Sequence, residues 1–310
     1  MNKLHNPVMV NEVIDNLNIK NNSIYLDATF GTGGHTNEIL KNISNDSKLI
    51  SIDKDYMSLK LSKKINDNRF EFINCSFSEL YNILYKKKIL GKINCILIDL
   101  GLSMYQIKNS GKGFSFMKDE KIDMRINDSY GISAYSWLKK ASINNITYVL
   151  KNFGEEKYAK KIATEIIKRR NKNIFFNSTK DLANIISYIK RNKRTRIHPA
   201  TKSFQAIRIY INNEFYELNN ILNNINNFLS KNGILLIISF NSLEGRIIKN
   251  KFKNIENDFL KKIPFNNNEY NIFNKKFNNI KMIKKIKPSK EEINNNISSR
   301  SAILRIFKKI

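Results

Sequence analysis

The sequence predicts an α/β protein, an open and mostly parallel sheet covered on both faces, with a helical domain inserted into it. Three observations carry this expectation. From residue 23 to residue 103 apolar runs alternate with helical periodicity, the pattern of successive βαβ units. The first run ends in a glycine-rich turn, LDATFGTGGHT at 26–36, which is how such sheets open a ligand site. After residue 103 the strand pattern is lost and returns at GILLIISFN, residues 233–241.

SIYLDATF, KLISIDKD, RFEFINCSF and INCILIDLGL read as four strands, built on aliphatic, β-branched and aromatic residues. The segments after Gly34, after Tyr56 and after Ser78 read as the connecting helices. Between about 105 and 200 amphipathic helices replace strands. EEKYAKKIATEIIKRR sets Tyr158, Ile162 and Ile166 on one face, with Lys157, Lys160, Lys161 and Lys168 around the other and Arg169 and Arg170 closing it. NSTKDLANIISYIK opens with Ser178 three residues before Asp181, a capping-box-like start, and repeats Leu182, Ile185, Ile186 and Ile189. Cations follow at Lys190, Arg191, Lys193, Arg194 and Arg196. From 200 to 230 the apolar period predicts one long helix returning to the sheet, then the fifth strand. Residues 253–285, rich in Asn and Lys, read as a loop or decorated insertion, and SAILRIFKK as the last strand.

The chain has 310 residues and a formal net charge of +27. A surface of that sign favours polyanions, so nucleic acid is the natural partner, although abundant Asn, Lys and Ile also fit an A+T-rich genome. The longest apolar run, residues 233–240, falls short of a bilayer span, and no leader pattern opens the chain; a soluble, cytoplasmic protein is expected. Cys75 and Cys95 lack ligand spacing and read as reduced core thiols, and the scattered His5, His35 and His198 suggest no metal site.

In the glycine turn Gly31, Gly33 and Gly34 let the backbone approach a ligand, with the next helix starting near His35. A nicotinamide dinucleotide fingerprint would need glycine at position 36, where the chain has Thr36, which disfavours a dehydrogenase. Asp53 ends the second strand, where a carboxylate suits ribose hydroxyls, and Phe77 and Asp99 follow the third and fourth strands.

DATFGTGGHT, ISIDKD, DLGLSMYQ, GKGFSFMKDEKIDMRIN, FGEEKYAKKIA, HPATKSFQAIRIYINNEF, ISFNSLEGRIIK and SSRSAILRI, in that order, resemble the ribosomal RNA small subunit methyltransferase H family over nearly the whole chain. The resemblance implies a class I methyltransferase (Rossmann-like) core at 1–104 and 201–310, with a substrate-recognition domain at 105–200. It implies S-adenosylmethionine as cofactor and, as reaction, methylation of the exocyclic N4 of a cytidine in the decoding centre of small-subunit (16S) rRNA. The implied partner is the small ribosomal subunit, with no membrane; the oligomeric state, a dimer included, stays open. By the same resemblance Gly33, Gly34 and His35 hold the methionine end of the cofactor, Asp53 the ribose, and Phe77, Asp99 and Gln106 complete the pocket.

Cytosine N4 is a weak nucleophile because its lone pair is delocalised, so the site must align it and offer acceptors to its protons; Asp99 or the carbonyls after it are the expected ones. A base taken out of its stack is expected against Phe114 or Phe116, near Asp123 and Arg125, while Lys190 to Arg196 and the 157–170 helix grip phosphates. The chain departs from the family pattern at Met104 and Tyr105, where serine and proline are usual, and at Asn241 and Gly245, where histidine and aspartate are usual. These departures leave an RNA-binding assembly factor with a retained pocket as the alternative function.

Overall fold

A computed structural model describes residues 7–190, 197–253 and 279–310. Along the chain run α1 (Val10–Asp15), β1 (Ile24–Asp27), α2 (Gly34–Asn42), β2 (Lys48–Asp53), α3 (Tyr56–Ser62), β3 (Phe70–Asn74), α4 (Phe77–Lys86) and β4 (Ile93–Asp99). Then come α5 (Met104–Asn109), α6 (Ala134–Lys140), α7 (Ile143–Gly154), α8 (Ala159–Asn171), α9 (Thr179–Lys190), α10 (Thr201–Ile211) and α11 (Glu214–Phe228). The chain closes with β5 (Leu229–Ser239), α12 (Ser242–Phe252), β6 (Ile280–Ile286), α13 (Lys290–Asn295) and β7 (Ile303–Lys309). It divides into two compact units, Met1–Ser103 with Tyr216–Ile310, and Met104–Phe215.

In the first unit the strand order is β3-β2-β1-β4-β5-β7-β6. β1 to β5 are parallel, and β7 runs antiparallel between β5 and β6. The central strands read as continuous apolar runs because both faces are covered. Tyr25, Leu49, Leu97, Leu236 and Leu304 pack under Val13 of α1, Leu17 just after it and Ile39 of α2, while Leu26, Ile96 and Leu235 are buried on the opposite face. Burial also pushes the Cys75 thiol up to about 12, and Cys95 upward as well, so both are inert free thiols.

The second unit is helical. Trp137, Leu150, Phe153, Ile162, Ile166, Leu182, Ile186 and Ile207 are buried, as the helical periods predict for the 155–170 and 177–190 segments. Gly154 lets α7 and α10 touch: a Cβ there would fall 2.5 Å from the Lys202 carbonyl oxygen. Ser178 caps α9 by accepting from the Asp181 N–H (3.3 Å), and Asp181 reaches back to the Asn177 N–H (3.2 Å).

Three expectations are corrected. The single helix over 200–230 is two, because Asn213 adopts a left-handed backbone (φ 50) between α10 and α11. α10 therefore belongs to the helical unit, which ends at Phe215 rather than at residue 200. At the end of the stretch expected to be a loop, 253–285, residues 280–286 form strand β6; as an edge strand it buries only Ile280 fully, and its exposed lysines hide the alternation that marks a strand. Residues 254–278 lie outside the described residues, as does His5.

Candidate functional site

β1, β2 and β4 end at Asp27, Asp53 and Asp99, so three carboxylates meet at one edge of the sheet. Asp27 and Asp53 tie down the glycine turn between them. Asp27 is fully buried; its Oδ2 accepts from Thr36 Oγ1 (2.7 Å) and its Oδ1 from the Thr29 N–H (3.1 Å), while Thr36 Oγ1 lies 2.8 Å from Ser51 Oγ. Burial pushes the Asp27 carboxyl above its usual range, against the pull of His35 and of the Thr36 hydroxyl. Asp53 accepts from the Gly31 N–H (2.8 Å) and the Asp55 N–H (2.9 Å), and burial pushes its carboxyl up to about 6. Ser58 Oγ donates to the Gly31 carbonyl (2.8 Å).

Gly33 takes the left-handed conformation (φ 81) that starts α2, and a Cβ there would meet Phe30 Cζ at 2.9 Å. The first N–H groups of α2, from Gly34 onward, have no partner within the helix. Beside them His35 is buried with its Nε2 3.5 Å from Asp99 Oδ2. Burial disfavours the imidazolium, but Asp99, then Asp27 and Glu292, outweigh it and raise the His35 pKa. Thr29 Oγ1 accepts from the Asp99 N–H at 2.7 Å and fixes the strand end. Asp99 Oδ1 and His35 Nδ1 are buried with no hydrogen-bond partner among the described residues. A partnerless carboxylate oxygen beside an open helix start is a seat for a zwitterion: the carboxylate takes an ammonium, the helix N–H groups a carboxylate.

Phe77 is half-buried at the head of α4, held by the capping box of Ser76 with Glu79 and by Ser78, whose N–H and Oγ meet Glu217 at 2.9 and 3.0 Å. The structure thus brings Gly33, Gly34, His35, Asp53, Phe77 and Asp99 into the first unit. Gln106, on α5, belongs to the second. Hydroxyls of the same segments position two of the acids: Thr36, backed by Ser51, holds Asp27, and Thr29 holds both Asp27 and the Asp99 backbone; the sequence signal for them is the proximity of Thr29 and Thr36 to Asp27 in DATFGTGGHT.

In the second unit Phe114 is half-buried, while Phe116 stacks on His198 with centroids 4.2 Å apart and meets Phe204 edge-on at 5.2 Å. Asp123 and Arg125 form a bidentate pair (2.7 and 2.8 Å) and the Arg125 Nη1 donates to the Asp128 carbonyl, so this segment folds on itself. Lys190 is not a surface cation: its buried Nζ donates to Glu156 Oε2 and to the Pro199 carbonyl, both at 2.7 Å. The rest of that cationic run, 191–196, lies outside the described residues. On α8 the Arg170 Nη1 donates to the Ala141 carbonyl (2.8 Å) and Arg169 pairs with Glu165, leaving Lys160, Lys161 and Lys168 as exposed cations.

Asn241 caps α12, accepting from the Glu244 N–H at 2.9 Å and donating to Glu244 Oε1 at 2.5 Å. This is helix-end hydrogen bonding rather than proton chemistry.

Known proteins align along the whole chain. "Ribosomal RNA small subunit methyltransferase H" of Wigglesworthia glossinidia brevipalpis is 48% identical over 311 residues, 99% of this chain and 99% of the relative. The protein of the same name from Buchnera aphidicola subsp. Acyrthosiphon pisum (strain Tuc7) is 46% identical over 304 residues, covering 97% and 96%. That from Hamiltonella defensa subsp. Acyrthosiphon pisum (strain 5AT) is 44% identical over 308 residues, covering 99% and 98%. The class I methyltransferase fold, a mostly parallel sheet with the last strand reversed, and S-adenosylmethionine as cofactor accord with these likenesses. Because the model of the MraW methylase family matches residues 2–310, the chain belongs to that family of methyltransferases.

Proposed function

We propose that the protein methylates the exocyclic N4 of a cytidine in the decoding centre of small-subunit (16S) rRNA, acting on the small ribosomal subunit in the cytoplasm. The observation that carries this reading is the end-to-end similarity to relatives named as small-subunit rRNA methyltransferases, at 44–48% identity. The partnerless Asp99 Oδ1 and His35 Nδ1 support it, since they fit the methionine end of the cofactor and no hydrogen bond within the described residues uses them.

When bound, S-adenosylmethionine supplies a methyl group activated by its sulfonium. Asp99 accepts from the cofactor's ammonium, with Thr29 fixing its backbone and His35 backing its second oxygen. Gly34 and His35 offer their N–H groups to its carboxylate at the start of α2. The Asp53 carboxylate has lone pairs left over from Gly31 and Asp55 and would take a ribose hydroxyl, with Phe77 on the adenosine side. Acceptors in the Asp99–Leu102 segment would hydrogen-bond the amine protons of N4 and hold it in line with the methyl group that the cofactor would supply, with the proton released on transfer passing to solvent. Phe114 stacks on the target base, whereas Phe116 is committed to His198 and Phe204. Lys160, Lys161 and Lys168 hold phosphates, which makes RNA binding fall steeply with salt.

The test is methyl transfer from labelled cofactor to undermethylated small subunits, with the product nucleotide identified by mass spectrometry. Incorporation as N4-methylcytidine is the expected result. Label on another atom overturns the N4 assignment, and no label with intact RNA binding favours the assembly factor.

A further inference from the structure

Residues 7–9 pass over the start of α2. A Cβ on Gly34, the first residue of that helix, would fall 3.2, 3.3 and 3.4 Å from the Cβ, Cδ and Cγ of Pro7, so the pyrrolidine ring lies against it. Val8 and Met9 are buried in the same core as Ile39 and Leu40 of α2. The Pro7 ring carries no hydrogen-bonding group, so it walls the helix start without competing for what binds there.

This path puts Met9 in the left-handed backbone region (φ 55, ψ 39), which a residue with a side chain keeps only where its surroundings hold it. A distant residue does the holding. The Met9 N–H donates to Glu292 Oε1 at 3.0 Å, across 283 positions. Glu292 is itself fixed on α13: its N–H donates to Ser289 Oγ (3.0 Å) and its carbonyl accepts from the Asn296 N–H (2.8 Å). Its charge also reaches the seat, since burial lowers the His35 pKa and Asp99, Asp27 and Glu292 together more than offset it. Holding α1 in place accounts for the buried Val8, Met9 and Val13. It does not account for a proline laid against the helix start that carries His35, whose buried Nδ1 has no hydrogen-bond partner among the described residues.

We infer that Glu292 is a positioning residue for the cofactor: through Met9 it sets the Pro7 ring as a wall of the methionine pocket, so that the cofactor's carboxylate meets the Gly34 and His35 N–H groups shielded from water. The inference rests on the placement of the methionine end proposed above. A helix start shielded from water holds a carboxylate more strongly than a hydrated one, because the same partial charges act in a lower dielectric. Glu292 therefore acts on the amino-acid end of the cofactor and leaves the adenosine end alone.

The test measures, by calorimetry on the full chain, the affinity for S-adenosylmethionine and for methylthioadenosine, which keeps the adenosine and lacks the methionine carboxylate and ammonium. Glu292→Ala is expected to weaken S-adenosylmethionine about 10-fold, the size of one lost hydrogen bond to a charged group, and to leave methylthioadenosine at the parental value. Glu292→Gln keeps an acceptor for the Met9 N–H and is expected to recover most of the loss. Pro7→Gly is expected to show the same selective loss with Glu292 intact. Equal weakening of both ligands by Glu292→Ala overturns the inference by making the residue generally structural, as does parental S-adenosylmethionine affinity in Glu292→Ala and Pro7→Gly. Glu292→Gln as weak as Glu292→Ala also overturns it, since the contact with Met9 would then not be what matters. Asp99→Ala separates this inference from the reading beneath it. If Asp99→Ala keeps the parental preference for S-adenosylmethionine over methylthioadenosine, the methionine end lies elsewhere and both fall; if it abolishes that preference while Glu292→Ala keeps it, the role of Glu292 alone is lost.

Discussion

The seat around Asp99 and the ion pair of Lys190 with Glu156 are both buried and charged, yet they are built in opposite ways. Around Lys190 the groups are used: its ammonium meets Glu156 and Pro199, and the Glu156 oxygens also accept from Ser203 Oγ and the Tyr158 N–H. Around Asp99 the backbone is held firmly by Thr29, but Oδ1 and the neighbouring His35 Nδ1 have no hydrogen-bond partner among the described residues. A satisfied buried pair belongs to the scaffold, whereas buried polar atoms without partners raise the free energy of the empty protein and are relieved by a ligand. The difference separates a structural lysine from the aspartate proposed to hold the cofactor, although sequence alone offered both as candidates.

Four measurements break or sharpen the contrast. Glu156→Ala should destabilise the protein by about 3–5 kcal/mol in denaturant unfolding, because it strands the Lys190 ammonium in the interior. Any part of the chain that stays folded should keep its cofactor affinity; a loss of affinity would break the distinction. Asp99→Ala should do the reverse, weakening S-adenosylmethionine by about 2–5 kcal/mol in calorimetry with little change in Tm. A large fall in Tm would make Asp99 structural.

Asp53 carries a pH signature. Its folded carboxyl is pushed up to about 6 from an ordinary 3.8, so between those values the folded chain holds a proton that the unfolded chain has released. Stability of the cofactor-free protein should therefore be greatest below about pH 4 as far as this group is concerned. It should fall by up to about 3 kcal/mol as pH rises to 6, at 1.36 kcal/mol per pKa unit. Asp53→Asn should flatten that window, and an unchanged slope in urea titrations would argue that the carboxyl is not desolvated. Smallest is Gly154→Ala, which should cost about 1–3 kcal/mol by forcing α7 from α10 without touching cofactor binding.

The periodic parts of the chain were legible. β1, β2, β4 and β5 carry apolar runs because both their faces are covered, and the glycine turn announces itself because glycine takes the φ of 81 at Gly33 without strain. β6 was not legible, since an edge strand with exposed lysines lacks a buried face to impose alternation. The break at Asn213 was hidden because one residue's backbone, rather than the apolar period, ends α10.

Sequence by itself determined the order of the α/β units, the position of the glycine turn and the family likeness, because these depend on local period and on blocks of adjacent residues. Tertiary structure alone decided which charges are spent. Lys190 meets Glu156 across 34 positions, Asp99 reaches Thr29 across 70, and Arg305 reaches Ser239 across 66. Whether a buried charge finds a partner is settled by what folding brings beside it, and no period or motif encodes that.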